Sequence, residues 1–156
     1  MVSFFPLVHQ ERKQKDHSLE DTLLWGTLPA IIDSDQRADD LQDYVSVYLN
    51  EEIKSEGLVR SLPAFSQFLE LATQYNTEQI VYENLSSDVG VSAMTIKAYY
   101  QILEDTLIGE RLQSYRKKSS RKAVSVPKFY FFDVGVVNAL LGLSLIHISE
   151  PTRQDR

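Results

Sequence analysis

The chain has 156 residues, of which 43% are hydrophobic and 10% aromatic, a composition typical of a globular protein and not of a disordered one. It has no cysteine, which excludes disulfides and thiol chemistry, and it shows neither a membrane-length apolar run nor a signal peptide, so we expect a cytoplasmic protein that binds no membrane. The net charge of −6 argues against a general nucleic-acid binder, yet residues 111–128 carry 7 basic residues and no acid, whereas residues 1–110 carry 7 Lys/Arg against 19 Asp/Glu.

Helical spacing dominates the first half of the chain. Ser18 stands three residues before Asp21, as in a capping box, and the helix that it starts is predicted to end at Gly26. A second helix is predicted from residue 39 to residue 56, and a third from residue 62 onward. Their apolar faces contain Leu41, Tyr44, Val45, Tyr48, Leu49 and Ile53 in the second helix, and Leu62, Phe65, Phe68, Leu69 and Ala72 in the third.

The next segment has the pattern of a helix-turn-helix. "YENLSSDVG" is predicted to be a short helix closed by Gly90, and Ser92 is a natural N-cap for the longer helix "AMTIKAYYQILEDTLI". Two β-rich runs, "ERLQSY" and "KFYFFD", follow on either side of the basic stretch. The predicted fold is therefore mainly α with a small β-hairpin, in which a winged helix-turn-helix follows a helical segment. The predicted buried face of the longer helix contains Ile96, Tyr99, Tyr100, Leu103 and Leu107.

A winged helix can place its second helix in the major groove of double-stranded DNA while the wing contacts phosphates. We therefore predict DNA contacts from the outer face of the longer helix and from the wing. A second interpretation of the basic wing is a solvated hairpin tip, or a surface that packs on an acidic neighbouring domain. The candidate residues are Thr95, Lys97 and Gln101 in the helix, and Arg116, Lys117, Lys118, Arg121 and Lys122 in the wing.

Motifs for other chemistries are absent from the sequence. None of the six glycines precedes a lysine, and no two have the spacing of a phosphate-binding loop, so we expect no ATP hydrolysis by this chain. "DSDQRADD" resembles a calcium loop but has Ala38 where glycine is required and Tyr44 where glutamate is required. His9 and His17 lack zinc-site spacing. We therefore predict no catalytic residue and no metal ligand.

Several runs together resemble the C-terminal half of a bacterial and archaeal AAA-type ATPase family. The resemblance covers roughly residues 3–142, and Asp133 falls within its last motif. It implies an upstream domain that binds ATP and Mg²⁺, then a helical lid, a winged helix and a restriction-endonuclease-like domain. The motifs are "TLLWGTLPAII", "YVSVYLNEEIKSEGLVRSLPAFSQFLELAT", "NLSSDVGVSAMTIKAYYQILEDTLIGERLQSY" and "PKFYFFDVGVVNALLG".

The resemblance implies that this chain is the middle part of such a protein. Residues 1–60 would be lid-like, residues 61–132 the winged-helix domain and residues 133–142 the start of the last domain. Within the second, the helix-turn-helix core would span about 83–108 and the wing about 111–132. For Asp133, on a strand-to-helix turn, helix capping is favoured over catalysis because the sequence offers no partner acid.

The last residues resemble something else. "LSLIHISEPTR" is similar, residue for residue, to one reading frame of a transposase-type sequencing-library adapter. We therefore expect residues 143–156 to be a non-native tail and leave them out of the functional argument.

The sequence thus predicts a module that binds DNA or a partner and couples to ATP hydrolysis elsewhere in the parent protein. The chain itself would hold no cofactor. Its partners would be double-stranded DNA and the two missing domains, and exposed apolar surface would favour self-association. The alternative is a free-standing winged-helix regulator or protein-interaction adaptor without ATPase activity.

Overall fold

The computed structural model describes residues 18–55, 57–113 and 126–142. These residues are mainly helical with a small antiparallel sheet, so the predicted mainly α fold with a β-hairpin is confirmed. The elements are α1 (Leu19–Trp25), α2 (Pro29–Ile32), α3 (Arg37–Val47), a π-helix (Tyr48–Ser55), α4 (Leu62–Gln74), α5 (Tyr82–Val89), α6 (Ala93–Asp105), β1 (Gly109–Leu112), β2 (Lys128–Phe131) and α7 (Val134–Leu141).

The chain divides into two compact units. Among the described residues, the first unit joins 18–47 with 133–142, and the second unit lies within Tyr48–Phe132. The sequence analysis placed its boundaries after residues 60 and 132. In the structure α7 packs with α1 and α3 inside the first unit.

Local capping explains where α1 begins and ends. Ser18 Oγ accepts a hydrogen bond from the backbone N–H of Asp21 at 3.0 Å, as the capping pattern predicts. Gly26 ends the helix with φ +74°, a conformation that favours glycine. The helices of the first unit bury aliphatic side chains, among them Leu24, Ile31, Leu41, Val45 and Val136.

The predicted second helix changes its winding halfway. It is α-helical from Arg37 to Val47 and π-helical from Tyr48 to Ser55, where the sequence predicts one continuous α-helix. A π-helix bonds each residue to the fifth one along, so Tyr48 and Ile53 lie on one face. Both are buried in the second unit, and the Tyr48 hydroxyl lies 3.0 Å from the Thr106 hydroxyl.

The core of the second unit is aromatic. The predicted apolar face of α4 packs on α6, and the ring of Phe68 lies 5.2 Å from Tyr99 and 5.0 Å from Tyr100. Phe129 of β2 extends the cluster, 5.0 Å from Tyr100. Burying a side chain of this size contributes about 1.5–3 kcal/mol. This cluster therefore fixes α4, α6 and the hairpin to one another.

One predicted core residue of α6 is wrongly assigned. The helix ends at Asp105, and Leu107, predicted on the buried face, is 52% exposed with φ +60°. The chain reverses here because Ile108 N donates to Leu103 O at 2.9 Å. Ile108 is buried instead, and β1 starts at the following residue.

β1 and β2 form an antiparallel hairpin in which Gly109 pairs with Phe131 and Leu112 with Lys128. A segment before α5 adds to the other edge of β2, because Gln79 bridges to Lys128 and Thr77 N donates to Phe129 O at 2.8 Å. The helices of the described ranges are all too short or too polar to cross a bilayer.

Candidate functional site

Helix α6, whose outer face is predicted to contact DNA, begins at a capped turn. Ser92 Oγ accepts a hydrogen bond from Thr95 N at 3.1 Å, and the two hydroxyl groups lie 2.8 Å apart. Gly90 closes α5 two residues earlier with φ +73°. Thr95 is half-buried, and its hydroxyl is engaged at the start of the helix. Of the three helix candidates, it is therefore the least available to a ligand.

Lys97 and Gln101 lie one turn apart on the exposed face of α6, as predicted. The Lys97 ammonium stands 5.1 Å from the centre of the Tyr82 ring on α5, a cation–π contact. Gln101 donates from Nε2 to Asp105 Oδ1 at 2.9 Å and accepts from the Arg111 guanidinium. Both candidates are thus exposed but already have partners within the second unit.

An ion pair that the sequence analysis did not single out joins α6 to β1. Arg111 Nε donates to Glu104 Oε1 at 2.8 Å, and its Nη2 donates to Glu104 Oε2. The hydrogen bond from the Arg111 side chain lowers the pKa of Glu104 below its usual range, against the opposing effect of burial. The same bond raises the pKa of Arg111. The signal in the sequence is weak: an acidic residue, Glu104, stands seven residues before a basic one, Arg111.

The five wing candidates, Arg116, Lys117, Lys118, Arg121 and Lys122, lie outside the described residues. Within the described part of the second unit, nine acidic side chains stand against five basic ones. That surface offers little attraction for a polyanion.

Asp133 lies in the first unit, at the start of α7. Its carboxylate accepts from Gly135 N at 2.8 Å and Val136 N at 3.2 Å, the geometry of a helix N-cap, so the capping interpretation is confirmed. It also accepts from Thr27 N at 2.7 Å. The side chain is buried, and burial raises its pKa, although the hydrogen bonds from Thr27, Val136 and Gly135 act in the opposite sense.

Two glycines make room for this contact. A Cβ on Gly26 would lie 2.0 Å from Asp133 Oδ1, and a Cβ on Gly135 would lie 2.2 Å from the Trp25 carbonyl oxygen. Asn138, which the sequence analysis missed, donates from Nδ2 to the carbonyls of Leu23 and Leu24 at 2.8 and 2.9 Å. An amide inside the apolar helix "VGVVNALL" is the signal that could have found it. These contacts fix α7 to the end of α1, which is a structural role.

Acidic and histidine side chains do not gather into a metal site anywhere in the described ranges. The segment "DSDQRADD" forms a short turn and the start of α3, as a solvated helix entry would. An open groove of about 440 Å³ lies beside Trp25, lined by that turn.

The described residues thus form a mainly helical protein with a small hairpin, and acidic side chains outnumber basic ones in it. The chain belongs to the family described as Domain of unknown function (DUF8612), which it matches over residues 16–146. The match includes all the residues that the structure describes. Neither the curated proteins nor the solved structures gave a match.

Proposed function

We propose that residues 61–132 are a winged helix that binds double-stranded DNA through its basic wing, and that the chain is part of an AAA-type ATPase. In this proposal ATP and Mg²⁺ bind to another domain of the parent protein. The observation that carries it is the order of elements in the second unit. Helix α4, a strand-like segment at Gln79, α5, the capped turn, α6 and a hairpin follow one another, and the basic stretch joins the two hairpin strands.

The charge distribution supports the DNA proposal. The five wing candidates fall between β1 and β2 in the sequence, with no acid between residues 111 and 128. Each phosphate that a cation neutralises releases counterions and steepens the salt dependence of binding by about 0.9 in log–log slope. Five such contacts would give a slope of roughly −4.5. The acidic remainder of the chain opposes binding at long range, so we expect modest affinity at low salt.

The test is fluorescence anisotropy of the full chain with a labelled 20-base-pair duplex at several salt concentrations. Alanine at Lys117, Lys118 and Arg121 together should reduce the magnitude of the slope by about 2.7. The matched control is Lys54→Glu with Arg60→Ala, which changes the net charge by the same amount at two exposed positions of the second unit. Equal losses in both variants, or no binding by the wild type at 50 mM salt, would contradict the proposal.

A second candidate, a protein-interaction adaptor, is favoured by one observation. Met94 is 79% exposed on α6, on the same face as Ala98 and close to the already partnered Lys97. An exposed apolar residue at that place suits a protein surface better than a phosphate backbone. Met94→Lys separates the candidates, because it adds a cation to the face that would enter the groove. We expect tighter DNA binding if α6 faces DNA, and no change if that face binds protein.

A further inference from the structure

The side chain of Arg111, the first basic residue of the 111–128 stretch, points back to α6. The chain leaves α6 at Asp105, reverses over three residues and enters β1 at Gly109. Arg111 is the third residue of that strand, and its backbone N–H donates to Glu104 Oε1 at 2.9 Å. Its guanidinium donates to both oxygens of the same carboxylate and to the Gln101 amide oxygen. One side chain of α6 thus binds both the backbone and the side chain of β1.

This ion pair is sheltered from solvent. The side chains of Arg111 and Glu104 are only 18% and 21% exposed. A bidentate guanidinium–carboxylate pair fixes direction as well as distance, because the two planar groups must align. Its charges cancel, so the pair offers little net attraction to a phosphate. Arg111 is therefore poorly placed to act as a phosphate ligand.

The pair lies at the base of the hairpin. Arg111 stands opposite Phe129 in the sheet register, and Phe129 is buried against Tyr100 of α6. Directly opposed residues of an antiparallel pair project from the same face of the sheet, so this face meets α6 through apolar packing on β2 and through the ion pair on β1. The segment with Thr77 and Gln79 holds the other edge of β2, and the Arg111–Glu104 pair fixes the direction of β1 relative to α6.

We infer that Arg111 is a positioning residue of the proposed DNA interface: through Glu104 it holds the hairpin at a fixed orientation to α6. This inference rests on the proposed DNA-binding function. It removes Arg111 from the basic residues that contact phosphate. In this proposal Arg111 orients the hairpin, and the five wing candidates contact the nucleic acid.

The test uses a substitution for which simple electrostatics and the positioning role predict opposite changes in DNA affinity. Glu104→Gln removes a negative charge from the proposed interface, and electrostatics alone predicts tighter DNA binding. If Arg111 positions the hairpin, the same change weakens binding, and we expect a loss of affinity of about 5-fold or more, the lower end of typical coupling between two sites. The matched control is Asp105→Asn, which removes the neighbouring charge of α6 that does not pair with Arg111. That control should bind as tightly as the wild type or more tightly.

Arg111→Lys is the second variant, because it keeps the charge but loses the bidentate geometry. It should weaken binding as Glu104→Gln does, with the salt slope reduced by more than the single unit that one lost phosphate contact would give. A readout without DNA is the exchange rate of the Arg111 amide proton, which should rise in Glu104→Gln and not in Asp105→Asn.

The outcomes separate the inference from the function on which it rests. Weaker binding by both pair variants, with folding intact by circular dichroism, supports the positioning role. Tighter binding by Glu104→Gln would mean that the freed Arg111 acts as a phosphate ligand, which overturns the inference and leaves the DNA-binding function standing. No binding by the wild type at 50 mM salt overturns both.

Discussion

The two compact units use their acidic side chains in opposite ways. In the first unit Asp133 is buried, and among the described residues it pairs with no cation and accepts hydrogen bonds from backbone N–H groups and the Thr27 hydroxyl. In the second unit Glu104 is half-buried and pairs with Arg111. The first arrangement ties together residues 106 positions apart, whereas the second joins residues 7 apart. A buried lone carboxylate costs desolvation energy and an ion pair recovers it, so the two units should respond differently to mutation and to pH.

The cores differ as well. The first unit packs aliphatic side chains between short helices, and the second packs rings from α4, α6 and β2. The chain has one tryptophan, Trp25, and it belongs to the first unit. Its fluorescence therefore reports on that unit, and the comparison can be tested one unit at a time.

Phe68→Ala should have the largest effect. Phe68 is fully buried and contacts the rings of Phe65, Tyr99 and Tyr100. Truncation of a buried phenylalanine costs about 3–5 kcal/mol because it leaves a cavity that the neighbours only partly fill. This loss should appear in urea unfolding that is monitored by amide hydrogen exchange on α4 and α6.

The reciprocal variant is Leu24→Ala in the first unit, where Leu24 is 3% exposed. It should cost about 2–5 kcal/mol and shift the fluorescence transition of Trp25. Suppose instead that Phe68→Ala lowers the stability reported by Trp25 fluorescence as much as that reported by amide exchange on α4. The two units would then unfold together, and the comparison fails.

Asp133→Ala should have the next largest effect. It leaves the backbone N–H groups of Thr27, Gly135 and Val136 without their acceptor, and an unpaired buried N–H costs about 1–3 kcal/mol. Loss of the buried charge offsets part of this cost, so we expect a net destabilisation of about 2 kcal/mol. The Trp25 transition in urea measures it.

Ser92→Ala is the control, since Ser92 caps α6 by the same kind of bond in an exposed position. Water can replace the lost acceptor there, and the cost should be about 1 kcal/mol or less. A larger loss from Ser92→Ala than from Asp133→Ala would mean that burial adds nothing to the cap.

Local patterns in the sequence predicted the helices because each start and stop rests on neighbouring residues. Ser18, Gly26, Gly90 and Ser92 act as the capping rules require. The change to π winding at Tyr48 was not predicted, since the helical spacing of the apolar residues continues through that segment. The exposure of Leu107 was missed because the local chain reversal ends α6 at Asp105 and buries Ile108 instead.

The sequence predicted which residues of α6 are exposed, but not which side chains they contact. The outer face of α6 follows from helical periodicity, so Lys97 and Gln101 are exposed as expected. Which partners they take could not be predicted, because Tyr82 and Arg111 reach them only through the packing of α5 and β1 on α6. The capping role of Asp133 was predicted from its place before a helix, whereas its bond to Thr27 depends on tertiary contact.

The smallest predicted effect is the pH dependence, and it has opposite signs in the two units. The pKa of Glu104 lies below its ordinary value of 4.5, so its stabilising contribution is complete above pH 4.5 and is lost as the pH falls through the lowered pKa. The pKa of Asp133 lies above its ordinary value of 3.8. Its contribution is therefore complete below pH 3.8 and is lost as the pH rises through the raised pKa.

Two variants isolate these contributions from those of the other carboxyl groups. Measured by urea unfolding between pH 3 and pH 7, the destabilisation caused by Glu104→Gln should grow as the pH rises, because the wild type gains its ion pair. The destabilisation caused by Asp133→Asn should shrink over the same range, because the wild type pays an increasing cost for a buried charge. Slopes of the same sign in both variants would mean that Asp133, despite its burial, is stabilised as a carboxylate by its N–H donors.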